Sequence, residues 1–167
     1  MSRRSPAWST SPERKELLAI YAEVDALFDG WSCTCSRAGA GTAAEARCCH
    51  FEVTGREPYP TAIELAEVAH GIRAAGAMPR DPRRLPVASL GACPLLGPGD
   101  RCRIYASRPF GCRTHFCDHA EAPLGQKPRL PRAKVSELGR RVADLATRVD
   151  PRDPGPRPLR RALTGLR

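Results

Sequence analysis

The sequence predicts a small α-rich α+β domain, with about three helices and two short strands organised around a cysteine metal cluster. Three observations predict it. Three stretches place apolar residues at helical spacing, two short runs alternate like strands, and eight cysteines fall into two separated groups in a chain with only 5% aromatic residues. With 17 prolines and 14 glycines among 167 residues, the core must be built mostly from Leu, Val, Ile and Ala. Small, loop-rich chains of this kind often need a covalent or metal staple.

Residues 1–10 carry no periodic pattern and are expected to be disordered. Ser11-Pro12-Glu13 then supplies an N-cap, a proline at the first helical position and an acid in the first turn. Leu17, Tyr21, Val24 and Phe28, with Ile20 and Leu27, form an apolar stripe, and Gly30 supplies a stop. Phe51-Glu52-Val53-Thr54 alternates like a short strand. Thr61 with Glu64 reads as a capping box opening a second helix to about Ala75, with Leu65, Val68 and Ile72 inward. Residues 77–88 form a Pro/Arg-rich linker. Gly97-Pro98-Gly99-Asp100 marks a turn, and Arg101 to Tyr105 a second short strand. A third helix is expected over Ala133 to Val149, where Val135, Leu138, Val142, Leu145 and Val149 recur at three- and four-residue steps. The prolines at 151, 154, 156 and 158 argue against regular structure beyond it. The expected organisation is a metal-binding domain over 11–149 followed by a basic Pro-rich tail over 150–167.

Behind the arginines near the N-terminus there is no apolar h-region, so no signal peptide is expected. No apolar run is long enough to span a bilayer, so no membrane partner is expected. The chain is therefore expected in the cytoplasm, where cysteines serve as ligands rather than disulfides. The formal net charge of +9 is local: residues 127–167 hold twelve Lys/Arg against four Asp/Glu, a net of +8. Such a region could attract nucleic acid or another acidic partner. Without interleaved aromatics to stack on bases, a solvated arginine-rich surface is the favoured reading.

The cysteines run Cys33-x-Cys35-x12-Cys48-Cys49, then, 43 residues on, Cys93-x8-Cys102-x9-Cys112-x4-Cys117. Thiolates are soft ligands that select zinc, Cu(I) or iron–sulfur clusters over hard ions. The spacing lacks the paired CxxC knuckles of a common zinc finger, so zinc and iron both stay open, the iron alternative including a 4Fe-4S cluster. Cys33 and Cys35 point the same way in an extended segment. Adjacent Cys48 and Cys49 are expected to point apart, and so to serve different metals or to contribute one ligand. His50 abuts Cys49, and His115 and His119 flank Cys117; each could complete a Cys₃His site, but with enough thiols present a place beside the ligands is favoured. His70 is read as structural. No Walker loop, GxGxxG, paired carboxylates or isolated nucleophilic cysteine is present, so no catalytic residue is assigned and the chain is not expected to be an enzyme on its own.

The run Cys93-Pro94-Leu95-Leu96 … Arg101-Cys102-Arg103-Ile104-Tyr105-Ala106-Ser107-Arg108-Pro109-Phe110-Gly111-Cys112-Arg113 resembles the YkgJ-type CxxCxxCC family, small proteins described as zinc- or iron-chelating domains. Cys48-Cys49 with Phe51, Thr54 and Glu64 resembles that family's double cysteine and downstream helix, and the likeness covers about residues 33–117. It departs from the family where a tight CxxCxxCC is here Cys-x-Cys, twelve residues, then Cys-Cys. The resemblance implies Cys48, Cys49, Cys93, Cys102 and Cys112 as the firmest ligands; Cys33, Cys35 and Cys117, the last beyond the family's usual motif, complete the candidate set on cysteine type and grouping. Arg108 and Arg113 are candidates to donate hydrogen bonds to an anionic thiolate centre. Pro109 is expected to turn the chain toward Cys102, and Tyr105 to pack over the site. The expected function is thiolate binding of zinc or iron in a structural or redox role. The alternative is a zinc-stabilised module gripping nucleic acid or another acidic partner. A third possibility is an enzyme component, since related cysteine modules resemble those attached to flagellin lysine methylases.

Overall fold

The computed structural model describes residues 7–33, 47–76, 91–97, 101–115, 120–123 and 129–164. The small-residue stretch 36–46, the linker 77–88, Cys35, Cys117 and His119 lie outside them. The fold is helix-rich, and the three long helices fall where the periodicity puts them: α1 (Pro12–Leu27), α3 (Ala62–Ala74) and α5 (Arg132–Val149). Ser11 caps α1 by accepting from the Arg14 N–H at 3.1 Å, with Pro12 leading the helix. Gly30, at φ 74°, turns the chain after it in a left-handed conformation that favours glycine.

The α1 stripe is core. Leu17, Ile20, Tyr21, Val24 and Phe28 pack with Ile63 of α3 and with Leu138, Val142, Leu145 and Ala146 of α5. On α5, Val149 is 44% exposed, so the inward stripe ends at Ala146. On α3 the buried apolar residues are Ile63, Val68 and Ile72, while Leu65 is half-buried.

Two expected strands are not strands. Phe51–Thr54 is a single helical turn, α2, closed by Thr54 N–H to the His50 carbonyl at 3.1 Å and ended by Gly55 at φ 62°. Four alternating residues satisfy a helical turn equally well, because Phe51 and Thr54 share a face at i, i+3, and the following glycine decides for the helix. Over Arg101–Tyr105 only Cys102 pairs, in an isolated antiparallel bridge to Leu96, before the chain winds into a 3-10 turn over Tyr105–Ser107. A short helix, α4 (Phe110–Arg113), follows. Among the described residues the one ladder is β1 (Ser32–Cys33), antiparallel to β2 (Ala120–Glu121).

Both expected tails are partly folded. At the N-terminus Trp8–Thr10 forms a 3-10 turn, and the Trp8 indole N–H donates to Glu67 at 3.0 Å. At the C-terminus the prolines give way to α6 (Leu159–Thr164), whose Leu159 and Leu163 are each 1% exposed. The segment before it is anchored by Arg157 N–H to the Pro60 carbonyl and Leu159 N–H to the Pro58 carbonyl, at 3.2 and 3.0 Å. The proline run thus delivers a helix to the core, with Pro158 at its entry, where a missing N–H costs nothing.

Two carboxylates on α3 are buried. Glu67 accepts from Trp8, from Arg14 through two nitrogens at 2.7 and 3.2 Å, and from the Ser107 hydroxyl at 2.8 Å. Burial alone would raise its pKa; the hydrogen bonds from Arg14, Ser107 and Trp8 outweigh that and hold it below the usual carboxylate value. Ser107 reaches it because Gly71 has no side chain: a Cβ there would sit 2.6 Å from Ser107 Cβ. Glu64 completes its capping box at Thr61, then also accepts the Phe110 N–H of α4 at 2.7 Å and the Tyr21 hydroxyl at 3.3 Å.

Candidate metal centre

Five cysteines of the described residues, Cys48, Cys49, Cys93, Cys102 and Cys112, are free thiols carried on four segments. The first two segments are pinned by backbone pairing. Cys93 N–H donates to the Cys49 carbonyl at 2.7 Å, His50 bridges Ala92, and Phe51 N–H donates to the Gly91 carbonyl at 3.0 Å. The third is laid beside the second by Arg103 N–H to Leu95 carbonyl at 3.0 Å and Gly97 N–H to Arg101 carbonyl at 2.8 Å. Cys112 rides on α4, which Pro109 starts and Glu64 caps.

The sulfurs feel one another. Cys48 and Cys49 share a 3-10 turn, and each thiol shifts the pKa of the other. Adjacent side chains point to opposite faces in a strand; in a 3-10 turn they are about a third of a turn apart. The Cys49 thiol lowers Cys48 to about 7 against the opposing cost of burial, helped by the Cys48 and Cys49 N–H groups and the Arg108 charge. The Cys48 thiol raises Cys49, as do burial and the charges at Cys48, Cys93 and Cys102.

Cys93 and Cys102 sit in matching turns. In each, the backbone two residues on, at Leu95 or at Ile104, lowers the thiol pKa by favouring the thiolate form. Burial opposes this, pushing Cys93 up to about 12 with smaller contributions from Cys102, Glu57 and Cys48. Burial likewise raises Cys102, while Arg108 lowers it. Cys112 is raised by burial and then by the charges at Cys93, Cys102 and Cys48. Around the group lies a second apolar cluster of Phe51, Val68, Ile72, Leu95, Ile104, Leu159 and Leu163 that includes Cys93, with Cys49 and Cys102 packed against it.

Two histidines next to this group have a buried Nε2 with no hydrogen-bond partner: His50, which follows Cys49, and His115, three residues past Cys112. Burial, then the Arg56 charge, lowers the His115 pKa, which favours the neutral ring. His70 is half-buried on α3.

The two arginines divide. The Arg108 charge reaches Cys48 and Cys102, and its guanidinium lies 3.9 Å from the Tyr105 ring centroid while donating to Asp25 at 3.3 Å. Arg113 is only 5% exposed, and its donors go to the Arg108 and Ala106 carbonyls and to Asp25, with its guanidinium over Tyr21. It braces the helices and gives no hydrogen bond to sulfur. Tyr105 is 65% exposed and supports Arg108 rather than covering the thiols.

Among the described residues no three His, Cys, Asp or Glu side chains converge closely enough to hold a metal ion between them. Of the other candidate ligands, Cys33 is placed through its backbone, opposite Ala120 in the β1–β2 pair. Cys35 and Cys117 fall outside the described residues. The donor chemistry of the five thiols and two unpartnered imidazoles suits a soft or borderline cation. No helix among the described residues is long and apolar enough to cross a membrane.

No family model, curated protein or solved structure matches the chain. The likeness to the YkgJ-type family therefore rests on the quoted residues.

Proposed function

We propose that the chain is a thiolate metal-binding protein that takes zinc or iron, the latter as an ion or a 4Fe-4S cluster, at the group formed by Cys48, Cys49, Cys93, Cys102 and Cys112. The shared surroundings of the thiols carry this reading: Cys93 lies in an apolar cluster against which Cys49 and Cys102 pack, and the Cys93 N–H pairs with the Cys49 carbonyl at 2.7 Å, so soft donors from three segments border one apolar patch. Four of the five thiols have raised pKa values, so in the absence of a cation the group is held largely protonated. A bound cation reverses that balance, because a coordinating thiol loses its proton outright. Arg108 supplies a nearby positive charge to offset part of the resulting anion.

The alternative, a basic C-terminal grip on nucleic acid, has less support. Lys134, Arg141, Arg148, Arg157 and Arg160 are paired with carboxylates of the same chain, which a phosphate would have to displace.

Anaerobic purification followed by assay of zinc, iron and acid-labile sulfide, with the visible spectrum, tests the proposal. Stoichiometric zinc in colourless protein, or matched iron and sulfide in brown protein, supports it, and Cys93→Ser with Cys102→Ser lowers the occupancy. Folded wild-type protein with neither metal nor sulfide, and with no uptake on adding zinc or ferrous iron, overturns it.

A further inference from the structure

We infer that α6 is a clasp over the thiols: a separable cover whose undocking governs how readily Cys49, Cys93 and Cys102 meet solvent, reagents and metal. The inference concerns regulation of the proposed site and rests on that reading for its meaning, but not for its geometry. Leu159 and Leu163, one helical turn apart on the six-residue α6, are buried in the same apolar cluster as Cys93, and Cys49 and Cys102 pack against that cluster. The cover is fastened by contacts that include the following. Glu57 accepts from the Arg160 backbone N–H at 2.7 Å and from its guanidinium at 3.2 and 3.0 Å. Arg160 also lies 5.5 Å from the Phe51 ring centroid, and the Arg157 and Leu159 N–H groups bond to the carbonyls of Pro60 and Pro58.

The main helical core is built without these contacts, with α3 reaching both clusters, through Ile63 in one and through Val68 and Ile72 in the other. The α1, α3 and α5 core contains no α6 residue, and both tryptophans, Trp8 and Trp31, pack against that core. A helix of six residues is unstable by itself, so α6 exists only while docked. It joins the low-stability end of the molecule, where local opening precedes global unfolding.

The test is Leu163→Asp in the full chain, read by the rate at which each thiol is alkylated, resolved by mass spectrometry, with tryptophan emission followed in parallel. A buried carboxylate at 163 undocks the helix. When reclosing is fast, labelling tracks the open population, so Cys49, Cys93 and Cys102 should label at least about tenfold faster than in wild type. Cys112, outside that apolar cluster, should change less, and tryptophan emission should hold. Milder Leu163→Ala should give a smaller rise in the same order. Unchanged labelling of Cys49, Cys93 and Cys102 overturns the clasp. Loss of the tryptophan signal in Leu163→Asp also overturns it, by showing that the two cores unfold as one unit. Metal assay of the same wild-type preparation judges the metal reading separately, so either proposal can fail alone.

Discussion

Replacing Glu67 with glutamine tests whether a buried carboxylate holds the N-terminal segment, α1, α3 and the loop at Ser107 in one arrangement. Glu67 is 1% exposed and accepts four hydrogen bonds, two of them from the Arg14 guanidinium. Glutamine keeps the volume and one acceptor for Ser107, but it turns an NH₂ toward Arg14 and leaves donors facing donors. Charge-assisted hydrogen bonds contribute about 1.5–3 kcal/mol each, while Arg14 regains partial solvation when released. The expected loss is about 2–4 kcal/mol, or roughly 5–15 °C in Tm for a domain of this size. Urea unfolding followed by tryptophan emission measures it, and Trp8, freed from its own bond to Glu67, should shift to the red in the folded state. The pH dependence has a definite sign. The folded pKa lies below the unfolded value of about 4.3, so the stabilisation is complete above that value and fades as pH falls through the folded pKa. The gap between wild type and Glu67→Gln should be flat near neutrality and narrow in acid. A gap below about 0.5 kcal/mol at neutral pH, or one constant down to about pH 3, refutes the reasoning.

Arg113→Lys should destabilise by about 3 kcal/mol or more in the same assay, because a lysine cannot hold Asp25 and two carbonyls together while stacking on Tyr21. Gly71→Ala should also destabilise, by about 1–3 kcal/mol, although alanine favours helices. The new methyl meets Ser107 Cβ and Ile104 Cβ, and a rise in Tm would show that the 104–107 loop moves aside freely. Glu64→Gln should weaken the capping of α4 as well as α3, seen as faster amide exchange at Phe110 together with Leu65; an effect confined to α3 would contradict the double role.

What the sequence made legible follows from period and local chemistry. The stripes of α1, α3 and α5, the Ser11 cap and the Thr61–Glu64 box involve residues within a turn of one another; the cap and the box form as read, and so do the stripes apart from the half-buried Leu65 and the exposed Val149. Phe51–Thr54 was ambiguous because four residues are too few to separate a period of 2 from one of 3.6. The folded C-terminal segment was hidden because Leu159 and Leu163 stand alone among prolines and arginines, and only a distant apolar cluster gives them a role. Glu67 offered one signal: an acid among the inward positions of α3, whose partners Trp8, Arg14 and Ser107 are far off in sequence. In the site, cysteine type and grouping pointed to all eight cysteines and the resemblance to five of them, while the 3-10 turn that carries Cys48 and Cys49 is not encoded in their spacing. The fate of Arg113 depends on Asp25, 88 residues away.

The position of the cover in the chain also has a consequence for synthesis. Cys112 leaves the ribosome roughly fifty residues ahead of Leu163, an interval of a few seconds at the usual rate of about 5–20 residues per second. Through that interval α5 is still being made, so the aliphatic core is incomplete, and α6 does not yet exist. The nascent chain thus presents its five sulfurs uncovered before either closing helix can dock, and an ion or oxidant encountered then has no opening step to wait for.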